Sequence, residues 1–138
     1  MVKITTQNYK AEMLLTAVRG LGQQKGLGYS NLLSLSRLTT KIEELMKPYL
    51  EMRREIITKF SKKDEKTGQF AVTPENQDEA MKELEVIAQA EVWFESDPIT
   101  LNVKDDSFLD FNTVNAFTGV FGEDNFKIEM PKTVAPTM

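Results

Sequence analysis

Residues 31–60 read NLLSLSRLTTKIEELMKPYLEMRREIITKF, and this run decides the architecture. Leu35, Leu38, Ile42, Leu45, Tyr49, Met52 and Ile56 recur at alternating spacings of three and four. That is the a/d pattern of a helix whose apolar seam lies along a partner at a shallow angle. The pattern predicts one long helix ending near Ser61, paired with a neighbouring helix or with a second copy of the chain. Pro48 falls in its middle and removes a hydrogen bond to the carbonyl of Glu44, so a kink or a break is expected there.

Upstream, Val2-Lys3-Ile4-Thr5 alternates as a short edge strand. Thr5 or Thr6 then caps a helix running to about Leu21, with Ala11, Leu14, Leu15, Val18 and Leu21 on one face. Gly20, Gly22, Gly26 and Gly28 end that helix in a flexible turn. Downstream, the polar run from Lys62 to Gly68 closes the long helix. Gln69 to Val72 follows as a strand, and Thr73-Pro74-Glu75 opens a third helix to about Ala90. Met81, Leu84, Ile87 and Ala88 of that helix face inward. Residues 91–94 and 99–103 read as strands, 112–120 as a short helix and 126–130 as another alternating segment. Trp93, Phe94, Phe108, Phe111, Phe117 and Phe121 are assigned to the core.

The fold expected is α+β and mostly helical. It has an N-terminal antiparallel helical hairpin with a long kinked helix, a third helix, and one small antiparallel sheet from residues 69–72, 92–94 and 99–103. Residues 1–130 form a single domain, and 131–138, with two prolines, an extended C-terminal arm.

The chain of 138 residues contains no histidine and no cysteine. Imidazole acid–base chemistry, thiol nucleophiles, disulfides and the usual zinc sites are therefore absent from its repertoire. The net charge of −4 conceals a division. Residues 1–74 carry 13 basic against 7 acidic side chains, and residues 75–138 carry 4 against 14. Such asymmetry suits electrostatic docking. No stretch approaches the roughly 20 apolar residues of a membrane helix, and Met1 to Thr6 lacks the apolar core of a signal peptide. No membrane association is expected.

The remaining motifs carry little chemistry. The glycine cluster has neither dinucleotide-loop nor P-loop spacing. Asp105, Asp106 and Asp110 would be the ligands of a metal-dependent enzyme, but an EF-hand would need glycine where Asp110 stands and glutamate where Ala116 stands. Asp110 reads instead as the cap of the following helix. No catalytic residue, cofactor or metal site is assigned.

The densest basic run comprises Arg53, Arg54, Lys59, Lys62, Lys63 and Lys66. Glu51, Glu55, Asp64 and Glu65 dilute it, so nucleic acid is not the expected partner. As a protein interface the candidates are Arg53, Arg54, Lys59, Lys62 and Lys63, with Pro131, Val134 and Pro136 of the arm.

The segment Arg53-Arg54-Glu55-Ile56-Ile57-Thr58-Lys59-Phe60, followed by Lys63-Asp64-Glu65-Lys66-Thr67-Gly68, resembles a pattern of small uncharacterised proteins of tailed bacteriophages and prophages. Ser61 stands where that pattern commonly has glycine. The resemblance implies a phage origin and supplies no catalytic residues. The function expected is that of a non-enzymatic phage protein acting through protein–protein contacts, as a minor virion component or assembly factor. The alternative is a phage-encoded inhibitor or modulator of a host protein, acting through its acidic half. Partners would be other phage proteins or a host protein, met in the host cytoplasm or in the virion.

Overall fold

The structure, a computed structural model, describes residues 1–24, 27–102 and 110–129. In chain order it contains β1 (Val2–Gln7), α1 (Asn8–Gly22), α2 (Tyr29–Phe60), β2 (Ser61–Lys63), β3 (Phe70–Val72), a 3-10 turn (Pro74–Asn76), α3 (Gln77–Gln89), β4 (Glu91–Ser96), β5 (Ile99–Asn102), α4 (Phe111–Phe121) and β6 (Phe126–Glu129). The fold is α+β and mostly helical, as the sequence indicates.

The long helix α2 spans 32 residues, about 48 Å at the α-helical rise. It runs unbroken through Pro48. Pro48 and Glu44 are both exposed, so water can solvate the carbonyl that the proline leaves without a donor. The inward stripe of α2 is Leu35, Leu38, Ile42, Met46, Tyr49 and Phe60, with Ile56 half-buried. It departs from the strict heptad at two places. Met46 is fully buried where Leu45 was expected, and Met52 lies 48% exposed while Arg53 takes the half-buried position beside it. A straight helix drifts relative to a seven-residue repeat, because its period is 3.6 and not 3.5.

α1 packs along α2 in antiparallel sense, as shown by two ion pairs whose numbering runs in opposite directions, Glu12–Arg53 and Arg19–Glu43. Ala11, Leu14, Leu15, Val18 and Leu21 of α1 join the α2 stripe in one continuous core. α1 also packs against α4, so it is the central element of the helical layer, and α3 packs against α2. The α2 seam is filled from within the chain and is not a surface left open for a second copy. α1 extends through Gly20 to Gly22, close to the expected end. Gly28 then precedes α2 at φ +89°, a backbone conformation that disfavours any side chain.

The strands correct the expectation of one sheet. They form three separate pairs: β1 with β4 antiparallel, β2 with β3 antiparallel, and β5 with β6 parallel. β1 pairs over six residues with β4, from Val2 opposite Ser96 to Gln7 opposite Glu91. That pairing also moves the N-cap of α1 from Thr5 or Thr6 to Gln7, so the helix starts at Asn8. Pro98 lies between β4 and β5 and cannot donate to a hairpin ladder. β5 instead reaches β6 through α4, a β–α–β crossover. Phe117 stacks on Phe126 at 4.6 Å between centroids, and Phe94 meets Phe121 edge-on at 6.0 Å. Trp93, Phe111 and Met81, expected inside, are 57%, 77% and 65% exposed.

Two buried asparagines join the parts. Asn31, on the first turn of α2, accepts from the backbone N–H of Asn102 at 3.0 Å and donates to the carbonyls of Asn102 and Leu27, each at 2.6 Å. Its amide thus stands in for a strand partner at the end of β5. Asn8, at the start of α1, donates its side-chain amide to Ile87 O at 2.9 Å and its backbone N–H to Ala90 O at 3.1 Å. Carbonyls at the C-terminus of α3 thereby meet the donor-rich N-terminus of α1.

Asn31→Ala leaves buried backbone groups without partners and should cost about 2 kcal/mol or more in chemical denaturation. Asn31→Asp should be comparably destabilising, because a carboxylate cannot donate to the two carbonyls; an Asp variant of wild-type stability would remove this account. Pro48→Ala restores a helical N–H and should stabilise α2 by about 1–3 kcal/mol, readable in the same assay.

Candidate protein-contact surface

The end of α2 leads directly into the β2–β3 hairpin, and residues 62–71 are all exposed. Ser61 faces Val72, Lys62 faces Ala71 and Lys63 faces Phe70 across the pair. Side chains alternate along a strand. Ser61, Lys63, Phe70 and Val72 therefore share one face, and Lys62 and Ala71 share the other. Ser61 and Val72 are half-buried at the base, while Phe70, two residues further out on the same face, is 69% exposed.

The turn joining the strands is built by local hydrogen bonds. Asp64 N–H donates to Gln69 O at 2.8 Å, and Gly68 N–H to Asp64 O at 2.7 Å. The Asp64 carboxylate accepts from Lys66 N–H at 2.9 Å. Gly68 sits at φ +72°, where a side chain would be strained. The hairpin is thus set by its own backbone. Among the described residues neither of its outer edges is paired with a further strand.

The five candidate residues of the basic run separate into two groups. Arg53 donates to Glu12 at 2.6 Å and lies 5.4 Å above the ring of Tyr49. Partial burial works against its charge, but the hydrogen bond to Glu12 and the attraction of that carboxylate prevail and raise its pKa above the ordinary arginine value. Lys59 donates to Glu83 on α3 at 3.2 Å and covers the ring of Phe60. Both residues are paired within the chain. Arg54, Lys62 and Lys63 are exposed and, among the described residues, make no ion pair. The Lys59–Glu83 pair also joins the basic half to the acidic one, so part of the charge division is satisfied internally.

No protein-family model, curated protein or solved structure matches this chain.

Pro131, Val134 and Pro136 lie outside the described residues, as do Asp105 and Asp106. Asp110 caps α4, accepting from Thr113 N–H at 2.7 Å. Among the described residues no cluster of three carboxylates suited to a metal occurs, and no helix is long and apolar enough to cross a membrane.

Sequence reasoning gives Phe70 no role and assigns Trp93 to the core, yet both are exposed. Trp93 stands on the outer face of the β1–β4 ribbon, with Lys3 Nζ 4.9 Å from its ring centroid. Strict alternation with buried Phe94 and Ser96 was the signal for its exposure.

The hydrogen bonds from Thr113 hold the Asp110 carboxyl below its ordinary pKa of 3.8. A depressed folded value makes the cap's contribution fully present above the unfolded pKa and lost as pH falls through the folded one. Asp110→Ala should therefore melt below wild type at pH 7. The gap should close as pH falls through the folded pKa, whereas Asp110→Asn should retain its cap under acid. A gap independent of pH would contradict the assignment.

Proposed function

We propose that this chain is a non-enzymatic phage protein that works through protein–protein contacts, as a minor virion component or assembly factor, in the host cytoplasm where particles are built. The observation that supports contact function is the β2–β3 arm. It combines a turn fixed by its own hydrogen bonds, two strand edges without a strand partner among the described residues, and an exposed aromatic beside a lysine. An open edge offers main-chain hydrogen bonds to an added strand, and an aromatic side chain next to it gives the contact an anchor. The phage assignment rests on the similarity of residues 53–68 to the phage pattern. The reading calls for no cofactor.

Mass spectrometry of purified particles from the source phage should detect the chain as a minor component. Its absence from particles and from assembly intermediates would favour the host-directed alternative. Phe70→Ala combined with Lys63→Glu should lower incorporation at least tenfold, while thermal stability, set by a core remote from the arm, stays within about 2 °C. Wild-type incorporation of that variant would remove the arm from the contact.

A further inference from the structure

A groove of about 570 Å³ runs between α1 and α2, and the four charges of the two interhelical ion pairs line it, together with Leu15, Leu50 and Lys47. Glu12 meets Arg53 at 2.6 Å near one end, and Arg19 meets Glu43 at 3.0 Å nearer the other. The side chains remain 37–57% exposed. Ion pairs this accessible add little to the stability of a single chain. Each guanidinium gives one hydrogen bond to its carboxylate out of its five N–H donors, and each carboxylate retains acceptor sites.

The signs form a checkerboard. Along α1 they run negative at residue 12 and positive at 19; along α2, at the same two levels, positive at 53 and negative at 43. Such a square is self-complementary. Turned over by a two-fold axis lying in the face, every charge meets its opposite. A groove serving a partner of one charge sign would carry a single-sign rim, so this pattern selects a second copy of itself. We infer that two copies of this chain dock through the α1–α2 groove, Glu12 of each meeting Arg53 of the other and Arg19 meeting Glu43, in a four-residue ionic network at either end.

Lys47 chooses between the two axes that satisfy the charges. It lies close to the midpoint of residues 43 and 53. An axis across the helices would set it against its own copy. An axis along the helices sets it over the middle of the partner's α1, where Leu15 and Thr16 lie. The second arrangement avoids a like-charge contact, so α1 of each copy lies over α2 of the other. The face is about 22 Å long, the length of α1, and two helices wide. That places the contact among small, ionic, salt-sensitive interfaces. It uses a surface separate from the β2–β3 arm and stands independently of the proposed function.

Sedimentation equilibrium from about 1 to 300 µM at low salt should show a reversible dimer that 0.5 M salt weakens at least tenfold. Arg19→Glu alone and Glu43→Arg alone should each be folded by circular dichroism and at least tenfold weaker in self-association. Mixing the two should restore a dimer, because the altered α1 of one copy then faces the altered α2 of the other. If Arg19→Glu proves poorly folded, Arg19→Ala supplies the same comparison. A wild-type monomer throughout the range, a dimer indifferent to these substitutions, or a mixture that fails to reassociate would each overturn the arrangement.

Discussion

The structure depends on covering one apolar stripe of α2. A helix of 32 residues with Leu35, Leu38, Ile42, Met46 and Tyr49 on one side cannot leave that side in water, since each such side chain is worth about 1.5–3 kcal/mol on burial. α1 covers the stretch around Glu43 to Arg53. β5 meets the first turn of α2 through Asn31 and β4 meets Lys41, which leaves the C-terminal end. There α3 packs against α2, with Lys59 reaching across to Glu83. α1 in turn has a second apolar side, which α4 occupies. The strand pairs then fill the margins of this helical arrangement and do not form a layer of their own.

Joining elements so different in period requires polar groups that speak to backbone. Asn31 and Asn8 do this at opposite ends of the molecule, one by imitating a strand edge and the other by bringing a helix start to a helix end. Neither residue is distinguishable from a surface asparagine in the sequence, because its partners lie 71 and 79 positions away.

The distinction between local and distant partners explains what was legible beforehand. Both helices of the hairpin, the end of α2 at Phe60 and the Asp110 cap are written in spacings of a few residues, and the structure has them. At Thr73-Pro74 it has a 3-10 turn instead, with no hydrogen bond from the Thr73 hydroxyl, and α3 begins only at Gln77. The shift from Leu45 to Met46 and from Met52 to Arg53 in the stripe was not legible, since it depends on where a period of 3.6 sets each residue against the core. Arg53 is tolerated there only because Glu12 of another helix receives it. The strand pairing was misread for the same reason: β4 seemed destined for its sequence neighbour, while its partner was at the far end of the chain. In the candidate surface, Lys62 and Lys63 sit on β2, just before the turn that the polar run to Gly68 announces. Arg53 and Lys59 looked equivalent to them, and only their distant carboxylates separate paired from unpaired charge.

The pairing of β1 with β4 has a consequence for the order in which the molecule is made. A ribosome delivers Val2 well before Ser96, yet the two are opposite one another in the finished ribbon. The α1–α2 hairpin has all its residues once Phe60 has emerged. Ile4 and Thr6, and the carbonyl that receives Asn8, wait for a segment still untranslated. β1 is thus made well before the strand that secures it.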